Sequence, residues 1–314
     1  MISRRLLRVK ILQVLYANSS KPDHSINLSE KDLFFSIQKS YDLFHLLLLL
    51  PIELLKVEEQ RIDMAKQRLM ATKEDKNPNT RLVDNRIINQ LKKNWALSKY
   101  VSDNKISWVN FPELIKNLYN IIKEKDYFKS YMTLPSTFEN DKKFILKIME
   151  NEIPQFLDLE STLEEMSIFW NDDIELVLGM VIKTIKSFKE SDQPSLPLMD
   201  LYKNEDDKEF AKQLLRKSIV NSKEYNELIQ KHAQNWEFER IAQMDILIMQ
   251  IALCEILEFP SIPVKVTLNE FIDIAKDYST PNSNTFINGI LDNIVKEMKL
   301  QNKIIKVGRG LMDN

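Results

Sequence analysis

Ile241-Ala242-Gln243-Met244-Asp245-Ile246-Leu247-Ile248-Met249-Gln250-Ile251-Ala252-Leu253 is the stretch on which the fold turns. It is apolar at almost every position, and its 3.6-residue period predicts one buried helix over 236–258. Asp245 is the exception. Its helical angle matches Phe238, Ile241, Ile248 and Ala252, an apolar face. A carboxylate there is costly unless it is paired or reaches an edge. Two readings follow: a bond to a neighbouring helix, or an acid on a face left partly open until a partner covers it.

Outward from this stretch the C-terminal third reads as regular helices at 205–220, 222–234, 267–278 and 283–300. Pro260 and Pro263 break the chain ahead of the last two. Thr267 and Glu270 have the spacing of a capping box, and Leu268, Phe271, Ile272 and Ala275 follow as a buried face. Ile287, Leu291, Ile294 and Met298 form the stripe of the last helix. Toward the N-terminus, Leu7, Ile11, Val14 and Leu15 mark a first helix over 3–20. A long helical segment over 29–72 follows, with Pro51 predicted to kink it. Further helices are expected at 83–100, 111–130 and 138–152, and Glu190 to Pro197 reads as a linker. The fold class is all-α.

Composition supports this. Only four glycines occur in 314 residues, and the one close pair, Gly308 and Gly310, has no room for a following helix. A P-loop or dinucleotide fingerprint needs more. The 44 % of hydrophobic residues suffice for a core. Cys254 is the sole cysteine, so no internal disulfide forms, as suits a reducing cytoplasm. It lies in an apolar run, where a buried thiol is the plain reading. His24, His45 and His232 are scattered, which argues against a zinc site. No cofactor is implied. The apolar run Phe44 to Leu55 is short and carries Pro51 and Glu53, so it does not span a membrane. A cytoplasmic location is expected. The net charge is −2, so nucleic-acid binding would need a local patch.

One such patch exists. Arg4, Arg5, Arg8 and Lys10, followed by Tyr16, pair phosphate ligands with a stacking surface. Taken alone it also fits a solvated helix face. Lys296, Lys299, Lys303, Lys306 and Arg309 add charge near the C-terminus. Gly289, inside a helical pattern, predicts close approach of another backbone. Asp141-Lys142-Lys143-Phe144 recurs 66 places later as Asp207-Lys208-Glu209-Phe210; Ile153 and Trp170 match Ile219 and Trp236 at the same offset. Duplication of a helical hairpin, 138–182 with 204–248, and chance are both open.

At these residues the chain resembles the NusB family. Arg4-Arg5-Leu6-Leu7-Arg8 and Leu12-Gln13-Val14-Leu15-Tyr16-Ala17 are similar to that family's first helix. Trp236, Arg240, Ile241, Asp245 and Ile251-Ala252-Leu253-Cys254-Glu255 resemble its central helix. Ile262-Pro263-Val264-Lys265-Val266, Asn269-Glu270 and Ala275-Lys276 follow its pattern, and Ser283 with Phe286-Ile287-Asn288-Gly289-Ile290-Leu291-Asp292 resembles its closing signature. The likeness covers about 3–20 and 205–300.

The resemblance implies a non-catalytic, RNA-binding antitermination factor. Its expected partners are boxA-like RNA of ribosomal RNA transcripts, the small ribosomal-subunit protein NusE, and the RNA polymerase antitermination complex. It implies Arg4, Arg5, Arg8, Tyr16, Tyr278, Asn282 and Phe286 as RNA-facing residues and Asp245 as the acid facing NusE. The chain departs from the family at Ile246, usually basic, at Gln250, usually arginine, and at Asn282, aspartate in some members. The expected layout is a first helix over 1–20, a helical insertion over 21–204, the family-like domain over 205–300 and a basic tail over 301–314. A helical protein-binding scaffold is the competing reading. The RNA-binding extension of ribosomal RNA cytosine methyltransferases is another, but no segment here supplies a glycine-bearing cofactor loop.

Overall fold

The computed structural model describes residues 2–19, 25–233 and 238–311. Among them every regular element is a helix and no strand occurs. His24 and Trp236 lie outside the described residues. The chain forms two compact units, one of Gln38–Leu201 and one of Ile2–Ile37 with Tyr202–Asn314.

The first helix, α1 (Arg4–Asn18), starts at Ser3, whose hydroxyl accepts from the Leu6 amide. The second, α2 (Ile26–Lys66), runs through Pro51 without interruption. In the first unit Leu43, Phe44, Leu46, Leu47, Leu48 and Leu50 of α2 have no exposed surface. A helix that is apolar all round belongs in the middle of its unit. Trp108 fixes one end of this run by donating its indole N–H to the Leu46 carbonyl at 2.9 Å.

Around it lie α3 (Lys73–Lys76), α4 (Arg86–Lys93), α5 (Trp95–Asp103), α6 (Pro112–Glu124), α7 (Asp126–Tyr131), α8 (Phe138–Lys147), α9 (Leu157–Met166) and α10 (Ile174–Ser187). Several are shorter than periodicity predicts, for local reasons. Asn94 closes α4 and caps α5, its side chain accepting from the Leu97 amide. Lys125, in extended conformation, separates α6 from α7. α8 widens into a π turn over Ile148–Glu152. The stretch expected to be a linker is instead held to its unit. The Pro194 carbonyl accepts from the Trp95 amide and the Leu196 carbonyl from the Asn94 side chain, each at 2.9 Å.

The second unit adds α11 (Glu205–Val220), α12 (Ser222–His232), α13 (Gln243–Glu258), α14 (Val264–Tyr278) and α15 (Ser283–Leu300). Every residue of α13 from Asp245 to Ile256 is buried. α1, α11, α12, α14 and α15 pack around it. α13 starts at Gln243, later than predicted, so Asp245 sits in its first turn, where the positive end of the helix favours an acid. α14 begins at Val264 after Pro263, so Thr267 is not its cap. The tail docks as well: Lys306 donates to the Ile256 and Phe259 carbonyls at the end of α13. Val307 donates to the Pro260 carbonyl, and a Cβ on Gly310 would come within 2.0 Å of that same oxygen. Lys306 is thereby a helix cap, not an open phosphate ligand.

Gly289 contradicts its reading. A Cβ there would meet nothing within 4 Å, so among the described residues no other backbone packs against it. Shifting α9 by 66 places gives 223–232, against the 222–232 span of α12, and shifting α10 gives 240–253, against 243–258 for α13. Superposing 138–182 on 204–248 tests the duplication.

His45 lies flat on the Tyr100 ring, centroids 3.7 Å apart, and its Nδ1 is 2.9 Å from the Tyr41 carbonyl. Burial lowers its pKa to about 4. Between pH 6.5 and 4 the unfolded chain therefore binds a proton that the folded chain refuses, and stability falls as pH drops through that window. The loss should reach about 3 kcal/mol. Denaturant unfolding at pH 7 and pH 4.5 checks this: His45→Phe should lose less stability between the two than the parent does. An equal loss in both would show that other groups carry the acid sensitivity.

Candidate nucleic-acid interface

The arginines of α1 do not form one surface. Arg8 is buried, with 4 % of its side chain exposed. Its Nε and Nη2 grip Glu255 at 2.7 and 2.9 Å, and Nη1 lies 3.4 Å from Glu270. Its guanidinium also covers the rings of Phe210 and Phe271. Thr267 donates to the same Glu255 carboxylate at 2.7 Å. The expectation that Arg8 binds phosphate is therefore corrected: every face of its guanidinium is engaged inside the unit. Lys10 is buried too. Thr267 and Glu270, read as a capping box, belong to this network instead.

Arg4 and Arg5 differ. Arg4 donates to Asp207 at 2.8 Å and lies over Phe210, with 38 % of its side chain exposed. Arg5 reaches Asp273 and Asp277 at 3.5 Å each, and both acids are well exposed. A hydrogen bond from Lys276, aided by the charges of Lys276 and Arg5 against a smaller opposing burial effect, holds Asp273 below its usual pKa. Long, wet ion pairs of this kind contribute little and exchange readily. Arg5 thus ties the start of α1 to the last turns of α14, the helix that ends at Tyr278. Tyr16, at the far end of α1, is half exposed.

Between α14 and α15 the chain turns through Asn282, whose φ of 73° is left-handed. Asparagine tolerates that region better than most residues. Its side chain makes no cap and is exposed, whereas Phe286, one turn on, is half-buried. Asp245 holds this turn. Its carboxylate accepts from the Ser279 hydroxyl and, at 2.9 Å, from Ser283. Thr280 and Ser283 hydroxyls are 2.7 Å apart. Only 5 % of Asp245 is exposed, so the face it stands on is closed by the serine turn and not open to a partner. Ile246 and Gln250 are buried as well, and Gln250 donates to Asn226 at 2.6 Å.

Of the residues singled out in the sequence, the fold brings Arg5 to the end of α14 and Asp245 to the turn carrying Asn282. The sequence reading gave Glu255 and Phe210 no role, although they organise Arg8. Burial raises the Cys254 pKa to about 12, and its sulfur lies 3.8 Å from the Leu214 carbonyl. A thiol so placed is an apolar filler. No cluster of metal-ligating side chains occurs among the described residues.

This is an all-helical protein whose second unit carries a partly exposed arginine pair beside an aromatic-bearing helical turn. The chain belongs to the NusB family. The family model described as "NusB family" matches residues 179–296. Proteins called transcription antitermination protein NusB align with it. That of Salinibacter ruber is 44 % identical over 105 residues, 33 % of this chain and 66 % of the relative. That of Chloroherpeton thalassium is 43 % identical over 34 % of this chain and 50 % of the relative. That of Koribacter versatilis is 38 % identical over 32 % of this chain and 68 % of the relative. The chain spans between half and about two thirds of these relatives' lengths. Their names are those of antitermination factors, not enzymes. No solved structure matches the chain. No described helix is long and apolar enough to cross a membrane.

The Arg8–Glu255 pair yields a test. Arg8→Ala leaves a carboxylate buried without its counter-charge, which should cost about 3–5 kcal/mol. Adding Glu255→Gln should restore part of it. Denaturant unfolding measures both, and additive losses in the double variant would contradict a direct pairing.

Proposed function

We propose that this chain is an RNA-binding transcription antitermination factor, acting on boxA-type RNA together with NusE in the RNA polymerase antitermination complex. The observation that carries the reading is the contrast within α1. Arg8 is locked inside, whereas Arg4 and Arg5 keep over a third of their side chains exposed, Arg4 beside the buried Asp207 and Arg5 behind exchangeable surface acids. A phosphate replaces a weak surface carboxylate at small cost, and the bidentate guanidinium geometry suits it. Tyr16 offers an exposed ring for a base. Tyr278, Asn282 and Phe286 contribute from the α14–α15 turn. Asp245 acts on this surface as a positioning residue, through Ser279 and Ser283. The relatives' names and a family match that falls mostly on this unit, over α11 to α15, support the same reading.

The test is a salt titration of the full chain with boxA-type RNA and NusE. If Arg4 and Arg5 each neutralise one phosphate, Arg4→Gln with Arg5→Gln should flatten the log–log salt slope by about 1.4. Tyr16→Ala should weaken binding roughly fivefold or more with little change in slope, because stacking releases few counterions. Unchanged affinity and slope in both variants would refute this surface. NusE binding with no RNA binding under any condition would favour the protein-scaffold reading.

A further inference from the structure

The first unit holds a feature that the antitermination reading does not use. Trp95 opens α5 with 63 % of its surface exposed. The ring is not loosely hung. Its amide is held by the Pro194 carbonyl, and the preceding Asn94 is buried, capping α5 with one side-chain atom and donating to Leu196 with the other. An indole presented on so rigid a base is pre-organised for stacking. Lys99 lies over the ring, 5.0 Å from its centre. Lys92 and Lys93 end α4 beside it, both exposed. Lys92 has only a weak 3.5 Å contact with Glu59, and Lys93 has no ion pair among the described residues. The first turn of α5 contains no acid, so its positive end is unopposed locally.

Next to Trp95 a cleft of about 450 Å³ opens between α4 and the 188–196 segment. Its size is that of a small-ligand pocket. Phe138 and Phe188 supply aromatic wall and Lys93 a cation, while Arg86 is paired with Glu190 and Asp192 accepts from the Lys189 amide at 2.7 Å. Gln90 lines it too. The Gln90 amide nitrogen donates to the Lys189 carbonyl at 2.8 Å, which fixes the amide's orientation. Its oxygen is then left buried with no donor, an uncommon and costly state. The cleft thus combines an aromatic wall, an unsatisfied acceptor and adjacent cations. A nucleobase bearing an exocyclic amine matches the first two, and its flanking phosphates match the third.

We propose that the first unit binds a single-stranded RNA segment. One base stacks on Trp95, the next enters the cleft with its amine toward Gln90, and the intervening phosphates lie on Lys93 and Lys99. An acidic protein segment would use the lysines but has no need of the indole face or of the Gln90 acceptor.

The experiment uses the full chain carrying Arg4→Gln, Arg5→Gln and Tyr16→Ala, which removes the proposed phosphate ligands and stacking ring of α1 in the second unit, so the two readings fail separately. The probes are twelve-nucleotide oligomers of cytidine and of uridine, followed by fluorescence anisotropy. Residual binding of the cytidine oligomer is expected. Trp95→Ala should weaken it roughly tenfold or more. Lys93→Gln with Lys99→Gln should flatten the salt slope by about 1.4. The cytidine oligomer, which carries an amine, should bind about fivefold more tightly than uridine. Trp95 and both lysines are exposed, so these variants should keep the parent's melting temperature, which circular dichroism confirms. No residual binding, or binding indifferent to Trp95→Ala, would overturn the proposal. So would equal affinities for cytidine and uridine, or displacement of the oligomer by polyglutamate at the same affinity.

Discussion

The Arg8–Glu255 pair is the constraint on which the second unit depends. Both groups are buried, and a buried charge is tolerable only when its partner and its remaining hydrogen bonds are in place. Satisfying Glu255 takes Arg8 from α1 and Thr267 from α14; satisfying Arg8 takes Glu255, Glu270 and two aromatic rings. Residues from four helices must therefore arrive in one register. Apolar burial supplies most of the driving force around α13, but it is non-directional. The charge network is what fixes α1 against α13 and α14 at one rotation. With α1 so fixed, Arg4 and Arg5 are carried to the edge of the unit, one beside α11 and the other beside α14.

A single helix thus sorts three arginines by depth. Arg8 lies three and four places before Ile11 and Leu12, on the buried stripe itself, while Arg5 lies off it. That difference was available in the spacing: an arginine in step with the apolar stripe is a candidate for an internal ion pair. The sequence named the basic cluster, but a resemblance transfers residue types and cannot say how deep each sits. Likewise Glu255, at the end of the apolar run that contains Asp245, was the second acid in a buried helix. One acid has a serine turn to satisfy it and the other an arginine.

The all-helical class and the central position of α13 were legible because periodicity and glycine scarcity act along the chain. Helix ends at Asn94, Lys125 and Val264 were less so. The deciding signals there are single residues that periodicity does not register: the Asn94 side chain capping α5 through the Leu97 amide, the extended Lys125, and Pro263 ahead of Val264. Thr267 and Glu270 show a second limit. Their spacing fits a local cap, yet tertiary partners claim both side chains. Trp95 drew no attention in the sequence because tryptophan usually reads as core, and only the fold reveals it as exposed.

The two units solve one electrostatic problem in two ways. In each, an aspartate near the start of a helix accepts from an arginine supplied by an earlier segment, and a buried phenylalanine follows three places later: Asp141 with Arg81 and Phe144, Asp207 with Arg4 and Phe210. In the first unit Arg81 is also tied to the Tyr131 hydroxyl and lies over its ring, which stacks on Phe144. That guanidinium is sealed. In the second unit Arg4 lies over Phe210 with no tyrosine on it among the described residues, and its side chain stays partly in water. An aspartate partner and one phenylalanine ring, without a tyrosine hydroxyl to take a further N–H, leave an arginine with donors to spare. The same motif that closes a core at Asp141 therefore holds an arginine ready at Asp207. The difference arises from what packs over the guanidinium, not from the ion pair itself.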